Sequence, residues 1–155
     1  GQLKLPLDKW ELVIIGEGEE RVNLEQQIDR AGLNSNVYLL GRKGKKEIGS
    51  ILCNSDVFVL PSRSETFGVV YVEAMMMGLP VIATVCGGPE EFVQKTDGLL
   101  VPCDDVEALS SAIKDMYENC HQYDHKKISA DSRARFSPNV IASQLINVFQ
   151  EVMCK

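Results

Sequence analysis

Two glutamates and the small residues around them are the part of this chain best suited to chemistry. In the stretch Pro61-Ser62-Arg63-Ser64-Glu65-Thr66-Phe67-Gly68-Val69-Val70-Tyr71-Val72-Glu73-Ala74, Glu65 and Glu73 stand eight positions apart. A helix beginning near Phe67 would leave Glu65 in the preceding turn, beside the free amides of Phe67, Gly68 and Val69. Glu73 would lie roughly 9 Å further along the axis at 1.5 Å per residue. Unpaired amides at a helix start attract an anion such as a diphosphate, and a carboxylate further on can accept hydrogen bonds from ribose hydroxyls. Val69, Val70, Val72, Ala74 and the run Met75-Met76-Met77 make this helix apolar nearly all round, so a Glu73 buried among them would need a partner. For each glutamate alone the simpler roles are helix capping for Glu65 and solvation for Glu73.

Other turns carry weaker signals. Gly16-Glu17-Gly18-Glu19-Glu20-Arg21 begins like a dinucleotide fingerprint, but Arg21 stands where the third glycine belongs, which argues against a nicotinamide oxidoreductase. Gly16 and Gly18 still allow a phosphate or ribose close to the backbone, although a tight turn needs glycine for its own sake. Gly41-Arg42-Lys43-Gly44-Lys45-Lys46 reads as a further ligand-side turn running into a charged helix, with a solvated basic loop as the alternative. Cys120, His121 and His125 could in principle meet at a metal, but their spacing fits a surface helix better, and no metal is expected.

These residues are positioned by alternating short apolar runs and longer amphipathic ones, the pattern of β-α units feeding a parallel sheet. Strands are expected at Glu11–Ile15, Asn36–Leu40, Asp56–Leu60, Pro80–Ala83 and Gly98–Val101. Helices are expected at about Glu19–Ala31, Lys45–Cys53, Phe67–Met77 and Glu90–Lys95. Beyond Pro102 the strand signals stop. A helix over about Asp105–Asn119 is expected to bury Val106, Leu109, Ile113 and Met116 with Asp104 as its N-cap, a polar stretch runs from Asn119 to Arg135, and Pro138–Met153 has the spacing of helical cover through Val140, Ile141, Leu145, Val148 and Phe149. The expected organisation is one α/β domain: residues 1–10 a cut end or linker, 11–102 the β-α units, 103–155 a helical tail. In such sheets ligands sit beyond the C-terminal strand ends, where all of these turns fall.

The 155 residues are 45% hydrophobic and 25% charged, with 16 Lys+Arg against 22 Asp+Glu. A charge of −6 disfavours a nucleic-acid partner. Mean hydropathy of −0.07 and frequent charge interruption give no membrane anchor. Five cysteines without a C-x-x-C pair fit reduced thiols and a cytoplasmic compartment rather than a disulfide framework.

Taken together, Pro61, Ser62, Glu65, Phe67, Gly68, Glu73, Ala74, Gly78, Pro80 and Val81 fit the pattern P-S-x-x-E-x-F-G-x-x-x-x-E-A-x-x-x-G-x-P-V. That pattern resembles the C-terminal nucleotide-sugar domain of family 4 retaining glycosyltransferases of the two-domain GT-B fold. The resemblance runs from about Leu12 to Phe136, through the Gly16 and Gly41 turns, Gly87-Gly88 and Asp97-Gly98-Leu99-Leu100-Val101-Pro102. It implies a Rossmann-like parallel sheet flanked by helices, and transfer of a sugar from a nucleotide diphosphate sugar to an acceptor hydroxyl without a metal. It further implies that Glu73 binds ribose hydroxyls, that Glu65 contacts the donor sugar at the reacting centre, and that the amides of Phe67, Gly68 and Val69 hold sugar and diphosphate, with Ser62 in the same donor site. Gly16 and Gly18 would line the phosphate side, and Gly41 and Arg42 would border the nucleobase.

The chain departs from the family's pattern at Pro89, one position early relative to Glu91, and it starts after the family's opening strand with its Gly-Arg and Lys-Gly. The resemblance therefore implies a fragment that is inactive alone. Its acceptor, a glycan, lipid or other hydroxyl compound, would be held by an N-terminal domain, at the cytoplasmic face of a membrane if the acceptor is lipid-linked. In a sheet of order 3-2-1-4-5-6 the absent strand is central, so either the strands at Leu12 and Val57 pair directly or another chain fills the gap. The alternative function is a nucleotide-binding or regulatory module without transfer activity.

Overall fold

A computed structural model describes residues 5–153. Cys154 therefore lies outside the described residues. The chain divides into two compact units, Gln2–Ile51 and Leu52–Lys155.

In the first unit β1 (Leu12–Ile15) pairs in parallel with β2 (Val37–Gly41) across α1 (Arg21–Arg30), and α2 (Lys45–Cys53) begins after β2. The segment entering β1 is held by Asn36, whose side-chain amide is buried and donates to Leu7 O at 2.6 Å and Trp10 O at 2.8 Å. Residues 7–10 are thus tied to the unit by two hydrogen bonds from one buried side chain.

In the second unit β3 (Phe58–Leu60), β4 (Val81–Val85) and β5 (Gly98–Pro102) form a parallel sheet in that order, with α3 (Val69–Met76) between β3 and β4. Four of the five residues of β4 are buried, as befits a central strand covered on both faces, and this is why the run reads as continuously apolar rather than alternating. α4 (Val106–Asn119) packs on one face, where Ile82, Val101, Ala112 and Met116 form a buried cluster with Leu109 and Ile113 against it. α5 (His125–Phe136) packs along α3 and satisfies the carbonyls at its C-terminal end: Ser129 Oγ donates to Met76 O at 2.6 Å, Arg133 Nη2 to the same oxygen at 3.0 Å, and His125 Nδ1 to Gly78 O at 2.9 Å. α6 (Pro138–Met153) closes the described chain.

The α/β class, the parallel strands, the flanking helices and the helical tail are as the sequence implied. Several details differ. Direct pairing of the strands at Leu12 and Val57 is not found, since β1 pairs with β2, β3 with β4, and no ladder among the described residues joins β1 to β3. Only a 3₁₀ turn, Pro89–Glu91, stands where a helix over Glu90–Lys95 was expected, because Gln94 to Asp97 close a turn of their own through Asp97 N to Gln94 O at 2.8 Å. The stretch Asn119–Arg135 holds α5, whose polar sequence buries little beyond Ile128 and Ser132. Val106 is 71% exposed, so the buried stripe of α4 begins a turn later, and on α6 Leu145, Val148 and Phe149 are exposed rather than serving as cover among the described residues.

The N-cap of α4 is Asp105, whose carboxylate accepts from Ala108 N at 2.8 Å. Asp104 instead takes a left-handed backbone, φ 56°, and pairs with Arg63 at 2.7 Å on the surface. Asp105→Ala is accordingly expected to cost about 1 kcal/mol in urea unfolding. Asp104→Asn, which keeps a residue tolerant of that backbone, should stay within about 0.5 kcal/mol. The reverse ranking would restore Asp104 as the cap.

Candidate functional site

β3 ends in the turn Pro61–Gly68, and two backbone hydrogen bonds, which together make one parallel bridge, bind that turn to the loop leaving β4. Glu65 forms an isolated parallel bridge with Gly87, its N–H donates to Cys86 O at 3.4 Å, and its carbonyl accepts from Gly88 N at 2.9 Å. A Cβ on Gly88 would sit 2.5 Å from Phe67 O, so the two loops touch backbone to backbone. The loop leaving β4 is in turn held by Glu90, whose carboxylate accepts from Gly87 N at 2.9 Å and Cys86 N at 3.1 Å. Its own amide and those of Gly87 and Cys86 hold the exposed Glu90 carboxyl below its usual range.

Within the turn, Ser62 Oγ donates to Glu65 Oε1 at 2.9 Å, fixing one oxygen of the carboxylate. Ser62 is itself held, because its carbonyl accepts from Thr84 Oγ1 on β4 and from Cys103 Sγ at 3.6 Å beyond β5. Beneath the turn the fully buried Tyr71 donates its hydroxyl to Leu60 O, the last residue of β3. Burial pushes the Tyr71 phenol up to about 12. Since the neutral phenol is favoured in the fold, this stabilisation is complete below pH 10 and is lost as the pH rises through 12. Between pH 10 and 12 the urea midpoint of Tyr71→Phe should therefore fall less steeply than that of the parent chain. Parallel slopes would mean that Tyr71 ionises alike in both states.

α3 starts at Val69, two residues later than the periodicity suggested, because Gly68 takes φ 89° and ψ 55° and acts as its N-cap. A side chain at Gly68 is doubly disfavoured: the backbone is left-handed, and a Cβ would lie 2.7 Å from the Tyr71 ring. Phe67 turns into an aromatic group with Phe92 at 5.1 Å and Phe136 at 5.9 Å between centroids. The amides of Phe67, Gly68, Val69 and Val70 have no acceptor among the described residues. Ser62 and Glu65 thus meet in the turn that leads into α3, whose first amides are free.

For Glu73 the structure shows the solvated placement rather than the buried one. The carboxylate needs no internal partner, because α3 buries Tyr71, Val72, Ala74 and Met75 and turns Val69, Val70, Glu73 and Met77 outward. The result is one carboxylate in an exposed apolar stripe, about 6 Å along the axis from the helix start.

Gly16, Gly18, Gly41 and Arg42 belong to the other unit. Gly16 N donates to Gly41 O at 2.9 Å, joining the two turns beyond β1 and β2. Arg21, at the failed third-glycine position, spreads across them: it bonds Glu17 and Glu25 at 2.9 Å each and reaches Leu39 O at 3.3 Å. This fan of contacts explains why an arginine serves where a dinucleotide fold needs close helix packing. Gly18 and Arg42 are exposed, and the Arg42 side chain has no hydrogen bond or ion pair among the described residues. Gly44 N donates to Glu47 at 2.9 Å, so the basic run opens α2 as expected.

A cleft of about 380 Å³ lined by Pro61, Arg63, Thr84, Pro102 and Asp104 opens at the C-terminal ends of β3, β4 and β5, alongside the glutamate turn. A larger one of about 490 Å³, near Asp97, Asp115 and Tyr123 before β5, contains none of the candidate residues. Sequence reasoning passed over Tyr71, Thr84 and Glu90. Each acts through a neighbour distant in sequence or through a backbone amide, so periodicity carries no trace of them.

A parallel sheet flanked by helices, with open amides at a helix start beyond a strand's C-terminal end, places the chain among the α/β proteins whose geometry suits an anionic ligand. More narrowly, the chain belongs to the family described as glycosyl transferases group 1, whose model matches residues 2–141. It is 31% identical over 140 residues to a D-inositol 3-phosphate glycosyltransferase of Corynebacterium urealyticum, covering 88% of this chain and 33% of that protein. It is 32% identical over 152 residues to an exopolysaccharide phosphotransferase of Streptomyces coelicolor, covering 94% of this chain and 16% of that one. Among solved structures, HepE of Anabaena in complex with UDP superposes with a TM-score of 0.81 at 27% identity, covering 92% of this chain and 41% of HepE. HepE in complex with UDP-glucose gives 0.78 at 28% identity, covering 91% and 41%. The chain thus spans a third or less of the length of those two relatives.

Proposed function

We propose that this chain is the donor-binding part of a retaining glycosyltransferase, which moves a sugar from a nucleotide diphosphate sugar to the hydroxyl of a glycan, lipid or other acceptor in the cytoplasm. The observation that carries the reading is the turn Pro61–Gly68. It presents a Glu65 carboxylate held by Ser62 beside the free amides of Phe67, Gly68 and Val69, one helical turn from the exposed Glu73. Membership of the family and the UDP and UDP-glucose complexes of HepE support the same ligand class.

In this reading Glu73 accepts hydrogen bonds from ribose hydroxyls, and its exposure is what the role needs. The helix-start amides receive the diphosphate and stabilise the charge that grows on it as the glycosidic bond breaks, without a metal. Glu65 orients the donor sugar and forms no covalent intermediate. The acceptor is bound by a part of the enzyme beyond this chain.

Ligand-detected NMR of the chain with UDP, GDP, ADP and NAD, each with magnesium and with EDTA, tests the reading. Binding of one nucleoside diphosphate that persists in EDTA and is lost in Glu73→Ala is expected. Preference for NAD would overturn it. Binding confirmed in a protein with the upstream domain restored, yet with neither donor hydrolysis nor transfer, would favour a regulatory module instead.

A further inference from the structure

We propose that Cys86 and Cys103 are a redox-modification site, joined into an intramolecular disulfide by an oxidant of the peroxide class. β4 and β5 run parallel and in register up to Val85 opposite Pro102, and each of these is followed by a cysteine. Neighbouring strands lie about 4.8 Å apart, inside the roughly 4.4–6.8 Å window of Cα separations that a disulfide requires.

Two contacts place the Cys103 thiol against the backbone that runs into Cys86. Cys103 Sγ lies 3.2 Å from Val85 O, the carbonyl bonded directly to the Cys86 nitrogen. It also lies 3.6 Å from Ser62 O, the oxygen that accepts the hydroxyl of Thr84. Cys86 and Cys103 each stand one residue past the end of their strand, β4 at Val85 and β5 at Pro102, in the adjoining turns that leave neighbouring strands.

Both thiols are half-buried and therefore within reach of a small oxidant. Cys53, at the end of α2, and Cys120, just after α4, have no cysteine in ladder register beside them.

The chemistry balances with peroxide as the electron acceptor. The sulfur of one thiol attacks a peroxide oxygen, the O–O bond breaks, and a sulfenic acid and one water form. The second thiol attacks the sulfenic sulfur, the S–OH bond breaks, and the disulfide and a second water form. Overall two thiols and one peroxide give one disulfide and two waters, the sulfurs losing two electrons and the peroxide gaining them.

The bond would fasten to β5 the loop whose Gly88 N–H holds Glu65 O, and it would remove the S–H now donated to Val85 O and Ser62 O. The proposal stands on this sheet edge alone and is independent of the nucleotide-sugar reading.

The whole chain, treated with hydrogen peroxide, alkylated and digested with trypsin, provides the test. Lys95 separates the two cysteines, so a disulfide appears as two peptides joined, about 2 Da lighter than their summed masses, and separable by dithiothreitol. Joining is expected in the monomer band of a non-reducing gel and is expected to disappear in Cys103→Ser. Recovery of the two peptides unjoined, each carrying its own sulfinic acid, would overturn the proposal, as would joining to Cys53, Cys120 or Cys154 to the same extent.

Differential alkylation of the unmutated chain covers the case in which Cys103→Ser fails to fold. Cys86 and Cys103 should lose labelling together at one peroxide dose while Cys53 and Cys120 remain labelled. Independent loss at different doses would sink the proposal.

Discussion

Gly98→Ala is expected to lower the stability of the Leu52–Lys155 unit by about 3–5 kcal/mol. Gly98 opens β5 opposite Val81, and a Cβ built there would lie 1.9 Å from Val81 O and 2.8 Å from both Val81 N and C. No rotamer relieves such an overlap, since every offending atom is backbone. The chain must instead part β4 from β5, which breaks the ladder on the most buried strand of the unit and opens the cluster of Ile82, Val101, Ala112 and Met116. A drop of this size is a large share of a typical domain's stability. It is read as a lower urea midpoint at unchanged slope. Gly44→Ala is the control, because its nearest neighbour would be the flexible Glu47 carboxylate at 3.4 Å, and its effect should not exceed about 1 kcal/mol. A loss below about 1 kcal/mol in Gly98→Ala would show that β5 can shift without breaking its ladder.

Glu73→Ala is expected to weaken nucleoside diphosphate binding by about 100-fold, while Glu65→Gln leaves it within roughly threefold. Hydrogen bonds from hydroxyls to a carboxylate contribute roughly 1.5–3 kcal/mol each, so losing two of them at the lower end of that range, as suits an exposed site, matches about two decades. The exposed Glu73 forms no side-chain bond among the described residues that its removal would disturb. Glu65 differs because it is tied to Ser62 at 2.9 Å and belongs to the donor sugar in the proposed arrangement. Its substitution should appear in transfer by the intact enzyme, as a fall in kcat larger than any rise in KM. Titration calorimetry with the nucleotide that binds best separates the two glutamates. Equal losses in both variants would merge their roles, and no loss in Glu73→Ala would remove ribose binding from α3.

The bounds of α2 and α6 are read correctly to the residue because helical spacing and end signals lie within the segment itself: the basic run and Gly44 before α2, Pro138 at the start of α6. β4 and β5 are legible for the same reason, as apolar runs closed by turn residues. α5 was hidden, since a helix lying over α3 needs only Ile128 and Ser132 buried and its polar remainder looks like loop.

The candidate site divides along the same line. Which residues stand near the helix start, Ser62 through Glu73, follows from chain order and from the need for glycine before Val69. Three-dimensional packing alone decided how they face. Glu73 points outward because Tyr71 and Met75 claim the core side of α3, and helix periodicity in an all-apolar segment cannot tell which side that is. Glu65 is held by Cys86 and Gly88, more than twenty residues away, and their loop by the Glu90 carboxylate, which accepts from Cys86 N and Gly87 N. The sequence alone determined a parallel α/β chain with a glutamate turn at a helix start, because spacing and turn chemistry are local. The tertiary structure decided which carboxylate is open to a ligand and which loops brace the other, because backbone pairing between distant loops depends on where the strands end in space.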